Sequence, residues 1–235
     1  MFIKSAAFYD LVYGFKDYAA EADHVRRVID SAKKTNGRRL LDVACGTGQH
    51  LQHLAEPFAC EGLDLDPQLL KIARRRLPDV QFTHADMVDF DLGRRFDAVV
   101  CLFSSIGYVA TLDKLRMTAR TFTRHLVPGG VVVVEPWLTP DVFRPGHVQA
   151  LLAEGSDLKV ARMSSSDLQA DRWVLNFHYL VGRPAGVEYF TEQHHLGRFT
   201  TQDYVNAFTD AGVQVSYDPE GISGRGLVIG AKPAT

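Results

Sequence analysis

Three acids follow apolar runs in the first half of the chain: Asp42 after Leu40-Leu41, Asp64 after Gly62-Leu63, and Asp86 shortly after Val80 to Thr83. Behind Asp42 comes Ala44-Cys45-Gly46-Thr47-Gly48-Gln49-His50, a glycine-rich turn, and Leu51, Leu54 and Ala55 then fall at helical spacing. This reads as a buried parallel strand, a tight loop and a helix N-terminus. Gly46 and Gly48 lack β-carbons, so a ligand can lie against the loop backbone. Nucleotide-type ligands bind there, at the carboxyl end of the strand. A dinucleotide loop requires a third glycine for helix packing, and Leu51 stands at that position. The acid just upstream of the glycines also makes this strand end a poor phosphate cradle. Asp64, followed by Leu65, lies 22 residues after Asp42. Near that offset an acid commonly meets a ribose. A carboxylate accepts hydrogen bonds from both ribose hydroxyls. Asp86-Met87 could hold an adenine amino group and one ring face, or form an ordinary turn.

A second set of reactive residues lies further along. Ser104, Ser105 and Tyr108 close an apolar run at Phe96 to Phe103. Glu135 and Trp137 follow another, Val131 to Val134. Tyr108, Glu135, His178, His194 and His195 are possible proton acceptors. On a strand, His194 and His195 point to opposite faces, so at most one of them reaches a given site. Arg225 is a fixed charge in Gly221-Ile222-Ser223-Gly224-Arg225-Gly226, and Arg74-Arg75-Arg76 reads as a solvated helix face. No His or Cys pair has a third ligand at metal spacing, so no metal is expected.

The elements that must position these groups can be read in order. Aromatics crowd residues 1–18: Phe2, Phe8, Tyr9, Tyr13, Phe15 and Tyr18. Ala6 to Tyr13 suits a short helix, and the segment is either a lid or a helix packed on the domain. Residues 17–33 form an amphipathic helix, with Ala22, Val25, Val28 and Ile29 on one side. Strand 1 begins at Arg39. Further βα units give strands at Phe58 to Leu65, Val80 to Thr83, Phe96 to Phe103 and Val131 to Glu135. Asp66-Pro67 opens the helix after strand 2. A helix from Lys114 to Leu126 is expected to stop at Pro128-Gly129-Gly130. After Trp137 the rhythm changes, and Leu158 to Ser165, Arg172 to Val181 and Val187 to Phe199 suggest antiparallel strands. A helix at Gln202 to Ala211 and strands at Val213 to Tyr217 and Gly226 to Ala231 complete the chain. The expectation is one α/β domain over residues 1–235. It is a doubly wound, seven-stranded Rossmann-like sheet with a lid at about 1–18 and an antiparallel insertion at about 138–199.

Composition narrows the class. The chain has 235 residues, 46% hydrophobic and 23% charged, as in a globular protein. Its formal net charge of −2 gives no general attraction for nucleic acid or membranes. Three cysteines, Cys45, Cys60 and Cys101, sit in or near apolar stretches and suit free thiols in a reducing cytoplasm. No apolar run is long enough for a transmembrane helix, and Met1 to Lys4 lacks the apolar core of a secretion signal.

The string Asp42-Val43-Ala44-Cys45-Gly46-Thr47-Gly48 resembles the first motif of class I S-adenosylmethionine (SAM) methyltransferases. Its order with Gly62-Leu63-Asp64-Leu65, Ala85-Asp86-Met87 and Phe96-Asp97-Ala98-Val99 is shared by many such enzymes. More specific are Lys16 to Ala22, Phe103-Ser104-Ser105-Ile106-Gly107, Val131 to Trp137 and Ser223 to Leu227. Together these resemble the TDP-aminosugar N-methyltransferases of antibiotic deoxysugar pathways, the desosamine and mycaminose N,N-dimethyltransferases among them. The resemblance implies methyl transfer from SAM to the amine of a TDP-linked 3-amino or 4-amino sugar, by a protein that is commonly dimeric. It implies that Tyr9 and Tyr18 cover the cofactor, with Ala44, Cys45 and Gly46 along its methionine part. Asp64 and Leu65 meet its ribose, Asp86 and Met87 its adenine, and Leu102 the methyl donor. Ser104, Ser105, Tyr108, Glu135 and Trp137 border the sugar, and Arg225 faces its pyrophosphate, which a guanidinium fork matches.

Three departures stand out. Tyr108 replaces a histidine that follows the Phe-Ser-Ser-Ile-Gly string in the desosamine-type enzymes. Asp64 replaces a glutamate, and Leu138 replaces a tryptophan. Tyrosine is a poor base at neutral pH but can orient an amine lone pair, so Tyr108 and His195 are carried forward as catalytic candidates. Two other readings stay open: a methyltransferase of a different small molecule, and a SAM-binding protein that does not methylate. A nicotinamide oxidoreductase is disfavoured by Leu51.

Overall fold

Alternation along the central strands decides the architecture. In the computed structural model, which describes residues 4–235, strand β1 (Arg39–Val43) sends Leu41 and Val43 to one face of the sheet and Leu40 to the other. Strand β4 (Phe96–Cys101) and strand β5 (Leu126–Val134) divide likewise, with Val132 and Val134 against one helical layer and Val131 and Val133 against the other. Strands buried on both faces need helices on both faces. Helices α5 (Leu112–Arg124) and α6 (Thr201–Asp210) cover the first. Helices α2 (Tyr18–Ala32), α3 (Gln49–Leu54) and α4 (Pro67–Arg76) cover the second. Strands β2 (Ala59–Asp64), β3 (Gln81–His84), β10 (Gln214–Asp218) and β11 (Leu227–Ala231) complete the seven-stranded sheet, in the order β10-β11-β5-β4-β1-β2-β3. Only β11 pairs antiparallel with its neighbours β5 and β10. The chain winds outward in both directions from β1 and β4. The crevice at their carboxyl ends is therefore the expected ligand site.

Local chemistry sets the helix ends. Asp66 caps α4 by accepting from Gln68 and Leu69 amides, with Pro67 in the first turn. Thr200 and Asp203 form a reciprocal capping box at α6. Gly48 caps α3 at φ +78°, a left-handed conformation that glycine adopts without strain.

Two expectations fail at element boundaries. Strand β5 starts at Leu126 rather than Val131 and runs through Pro128-Gly129-Gly130. The register against β4 slips between Phe96 and Ala98, and this irregularity accommodates the extra residues. In the insertion, a fourth strand precedes the three expected: β6 (Val148–Glu154) joins β7 (Lys159–Gln169), β8 (Arg172–Arg183) and β9 (Gly186–Gly197) in an antiparallel sheet. Its burial pattern is mostly exposed. Without a buried face it carries no apolar alternation to read.

A 3₁₀ turn at Ser5–Phe8 and the short helix α1 (Tyr9–Val12) lie against that second sheet. Phe8 and Val12 pack with Val160, Phe177, Tyr179, Val181 and Phe190. Phe2, among the aromatics of the opening segment, lies outside the described residues.

Candidate active site

Left-handed backbone marks the two strand ends where the crevice opens. Ala44 after β1 has φ +60°, and Phe103 and Ser104 after β4 have φ +52° and +60°. Such conformations disfavour residues with a β-carbon and concentrate at ligand sites. Two cavities meet there.

The first, about 350 Å³, lies over β1 to β3 and is lined by Ala44, Gly46, Asp64, Leu65, Asp66, Asp86, Met87 and Lys114 among others. A narrow extension of about 30 Å³ continues it past Asp42, Cys45, Thr47, Tyr18 and Leu102. Asp42 is 2% exposed, and burial, with Asp64 nearby, raises its pKa well above the usual carboxylate range. Burial also raises Asp64, although its oxygens accept from the amides of Gly46 at 2.7 Å and Asp66 at 2.8 Å. Asp64 therefore fixes the glycine loop as well as facing the cavity. Four carboxylates with one lysine suit a cationic ligand bearing donor hydroxyls and repel a pyrophosphate.

Ion pairs tie the opening segment to the glycine loop and to the helices beside it. Arg76 of α4 pairs with Asp10 of α1 at 2.5 Å and donates to the carbonyl of Thr47, whose hydroxyl donates to Asp10 at 2.6 Å. Arg76, read as a solvated charge, is thus a latch between lid and glycine loop. Lys16 pairs with Glu21 at 2.6 Å and lies over the Phe103 ring, and Glu21 also meets His50 at 2.8 Å. Burial raises the Glu21 carboxyl, but His50 and Lys16 hold it below its ordinary pKa.

The second cavity, about 700 Å³, lies between the main sheet and the insertion. Its charges are of the opposite sign: Lys16, Arg144, Arg162 and Arg225 against Glu21. Arg225 donates to Ser104 Oγ at 3.0 Å and stacks near Phe103 and Trp137. Arg162 is 9% exposed, donates to the Tyr13 hydroxyl at 3.1 Å and lies over the Tyr13 and Phe177 rings. Sequence reasoning passed over it. The signal was available, because alternation along β7 puts Arg162, Ser164 and Ser166 on the same buried face as Val160.

Tyr9 and Ser105 line both cavities and the narrow extension, and Tyr108 lines both cavities. Desolvation at the hydroxyl ends raises the pKa values of Tyr9 and Tyr108, although Tyr108 is 37% exposed, so both are neutral phenols. Gly107 is required before Tyr108, since a β-carbon there would lie 3.0 Å from both Leu196 and Trp137. The histidine that meets Tyr108 is His194, with the Tyr108 hydroxyl 2.6 Å from its Nδ1. His195 points to the other side of β9, is exposed, and lines the smaller cavity. Glu135 lines neither cavity. It is 2% exposed, accepts the Phe103 amide at 2.7 Å and binds the Ser223 hydroxyl. It thereby ties the end of β4 to the loop that carries Arg225. Among the described residues no cluster of three His, Cys, Asp or Glu could hold a metal. Nor is any helix of those residues long and apolar enough to cross a membrane.

The fold and the acidic crevice define a methyltransferase of the Rossmann-like class, and a methyltransferase-domain family model matches residues 40–130. The chain is 45% identical over 229 residues to the dTDP-3-amino-3,6-dideoxy-alpha-D-glucopyranose N,N-dimethyltransferase of Streptomyces fradiae, covering 96% of this chain and 89% of that one. It superposes on the crystal structure of Streptomyces venezuelae DesVI with a TM-score of 0.92, at 43% identity and 99% coverage of both chains. With SAM-bound CalS10, an amino pentose methyltransferase from Micromonospora echinaspora involved in calicheamicin biosynthesis, the TM-score is 0.86 at 39% identity, covering 96% and 95%. The chain belongs to the family of SAM-dependent amino-sugar N-methyltransferases that these proteins represent.

Proposed function

We propose that the protein methylates the amine of a dTDP-linked 3-amino deoxysugar, twice in succession, with SAM as donor. The observation that carries this reading is the opposite charge of two adjoining cavities. The acidic one suits a sulfonium and ammonium, and the basic one suits a nucleoside diphosphate. Relatives named for 3-amino sugars are 45% and 43% identical, and one named for a 4-amino sugar is 39% identical, which favours the 3-amino position.

Asp64 and Leu65 would hold the ribose, Asp86 and Met87 the adenine, and Asp42, Ala44, Cys45, Gly46 and Leu102 the methionine part and methyl end. Tyr9 and Tyr18 would cover them. When bound, SAM supplies an electrophilic methyl group. The chain's own contribution is alignment. Arg225, with Arg162, would anchor the pyrophosphate, while Ser105 and Tyr108 would direct the amine toward the smaller cavity. Such positioning can lower a barrier by several kcal/mol, up to about 7–11 in well-oriented models. Removing the pyrophosphate from the acceptor is the direct test. A large rise in KM is expected, and an unchanged KM would point to a non-nucleotide acceptor.

The protein would act as a homodimer. Leu152, Met163, Leu180 and Tyr189 are 67%, 51%, 50% and 58% exposed on the outer face of the second sheet, where all four border an apolar groove with Ala150, Ala161 and His178. A contiguous apolar face of this kind suits a partner surface. Leu180→Asp should shift the mass in sedimentation to that of one chain. A wild-type protein that already sediments as one chain would refute the dimer. The three free cysteines fit a cytoplasmic protein.

A further inference from the structure

Tyr108, at the junction of the cavities, is one end of a chain of polar contacts that runs away from both. Behind its hydroxyl lies the His194 imidazole, whose side chain is 0% exposed. Nε2 of His194 faces Glu192 Oε2 at 3.7 Å. Glu192 sits two residues earlier on β9, hence on the same face. Its Oε1 accepts the backbone amides of Lys4 at 2.8 Å and Ser5 at 3.1 Å, and its Oε2 accepts the Ser5 hydroxyl at 2.6 Å. The lid's first turn therefore closes the far end.

We propose that Tyr108, His194 and Glu192 form a proton relay that takes the proton from the acceptor ammonium, and that docking of the lid on Glu192 completes it. This rests on the reading of the protein as an amine methyltransferase. An ammonium has no lone pair and cannot attack, so its proton must leave first. In the relay an ammonium N–H hydrogen passes to Tyr108 Oη while the Tyr108 hydroxyl hydrogen passes to His194 Nδ1. The N–H electron pair stays on nitrogen, the phenol remains neutral, and the positive charge ends on the imidazole beside the Glu192 carboxylate.

The surroundings suit each station. Tyr108 cannot act alone, because a phenol of ordinary pKa or above is a poor base at neutral pH. His194 cannot reach the amine directly, because Tyr108 occupies its Nδ1 side. Burial lowers the His194 pKa, so its resting state is a neutral imidazole. With Nε2 protonated toward Glu192, Nδ1 is the acceptor for the Tyr108 hydroxyl. Burial raises the Glu192 carboxyl, but His194, Ser5 and the two lid amides more than offset this and hold it at about 2. It is therefore a fixed anion ready to face an imidazolium. Among the described residues Arg162 of β7 also lies near His194 and opposes the imidazolium, and the ring edges of Tyr108 and Phe177 enclose the imidazole. Tyr13 and Tyr179 lie near enough to add to the rise at Tyr108. Without Glu192 the relay would place a positive charge in a buried site that Arg162 already makes unfavourable for one.

The test compares methylation rates of wild type, His194→Gln and Glu192→Gln on a dTDP-3-amino sugar at saturating substrates across pH. The relay predicts a loss of roughly 10²-fold in His194→Gln near neutral pH. That loss should shrink to a few-fold above about pH 9, where an amine of this kind is already neutral without help. Glu192→Gln should follow the same pattern with a smaller loss, and SAM affinity by calorimetry should stay within about twofold of wild type. A wild-type rate in His194→Gln at neutral pH, or a loss constant across pH, would overturn the relay and leave a merely structural contact. Should His194→Gln fail to fold, the wild-type rate in mixed light and heavy water decides. Two protons in flight give a bowed dependence on deuterium fraction, and a straight line would overturn the relay. Wild-type protein that methylates no amino-sugar nucleotide would overturn the parent reading along with the relay, whereas turnover with a pH-independent loss removes the relay alone.

Discussion

The smaller cavity and the larger one differ in charge, in construction and in how they were encoded. The smaller presents Asp42, Asp64, Asp66 and Asp86 from the ends of parallel strands and the loops that follow them. The larger presents Arg144, Arg162 and Arg225 from an insertion strand and two loops. On the proposed assignment, a cationic cofactor and an anionic acceptor would be sorted before any specific hydrogen bond forms. At a few ångströms in a partly buried site, one wrong-sign contact costs several kcal/mol. The parallel sheet supplies a fixed floor for the shared cofactor. The antiparallel insertion walls the basic cavity, so the two charges are presented by different parts of the fold.

The largest change should come from the basic side. Arg225→Ala should raise the KM for the sugar nucleotide roughly 10–150-fold, the equivalent of about 1.5–3 kcal/mol for hydrogen bonds to a charged group. SAM affinity should be untouched. A fall in SAM affinity with an unchanged acceptor KM would reverse the assignment of the two cavities. On the acidic side, Asp64→Ala should weaken SAM binding by roughly 1–3 kcal/mol, read by calorimetry. The same change frees the Gly46 amide, so thermal stability should fall with it. Full SAM affinity in that variant would remove Asp64 from the ribose.

A third prediction uses pH. Burial raises Asp42 in the free protein, and a bound cation favours its ionised form. Affinity should then be full above the raised pKa and decline several-fold as pH falls through it. Asp42→Asn should flatten the curve, and a flat wild-type curve would contradict the role. The smallest effect belongs to the latch. Arg76→Met should speed SAM release a few-fold in stopped flow, since a half-exposed ion pair contributes about 1 kcal/mol or less. An unchanged release rate would mean that the lid is held by its apolar contacts alone.

The sequence disclosed the two sides unequally, for a physical reason. The acidic side was legible because each carboxylate follows its own strand, and strand, loop and helix are contiguous. Asp42, Asp64 and Asp86 could each be read from a few neighbours. The seven strands were read from the same local periods, while their order in the sheet came from the structure. The basic side depends on strand pairing across the insertion, where register decides which face a residue takes. Alternation along β7 could place Arg162 on a buried face, but not beside Arg225 in one cavity, which takes the packing of the insertion on the main sheet. Choosing His194 over His195 at Tyr108 required knowing how β9 sits against the 3₁₀ turn at Ser105–Val109. Glu192 and Ser5 are 187 residues apart, and nothing local links them. Glu135 was legible as a conspicuous acid but not as a brace, because both of its partners lie on other segments.

The central claim is that one cavity delivers a methyl group to an amine presented by the other. Mass spectrometry of a dTDP-3-amino deoxysugar incubated with the protein and SAM tests it most directly. The expected product carries first one and then two added methyl groups on nitrogen, with S-adenosylhomocysteine formed in step. An acceptor of unchanged mass, under conditions in which calorimetry shows both ligands bound, would contradict it.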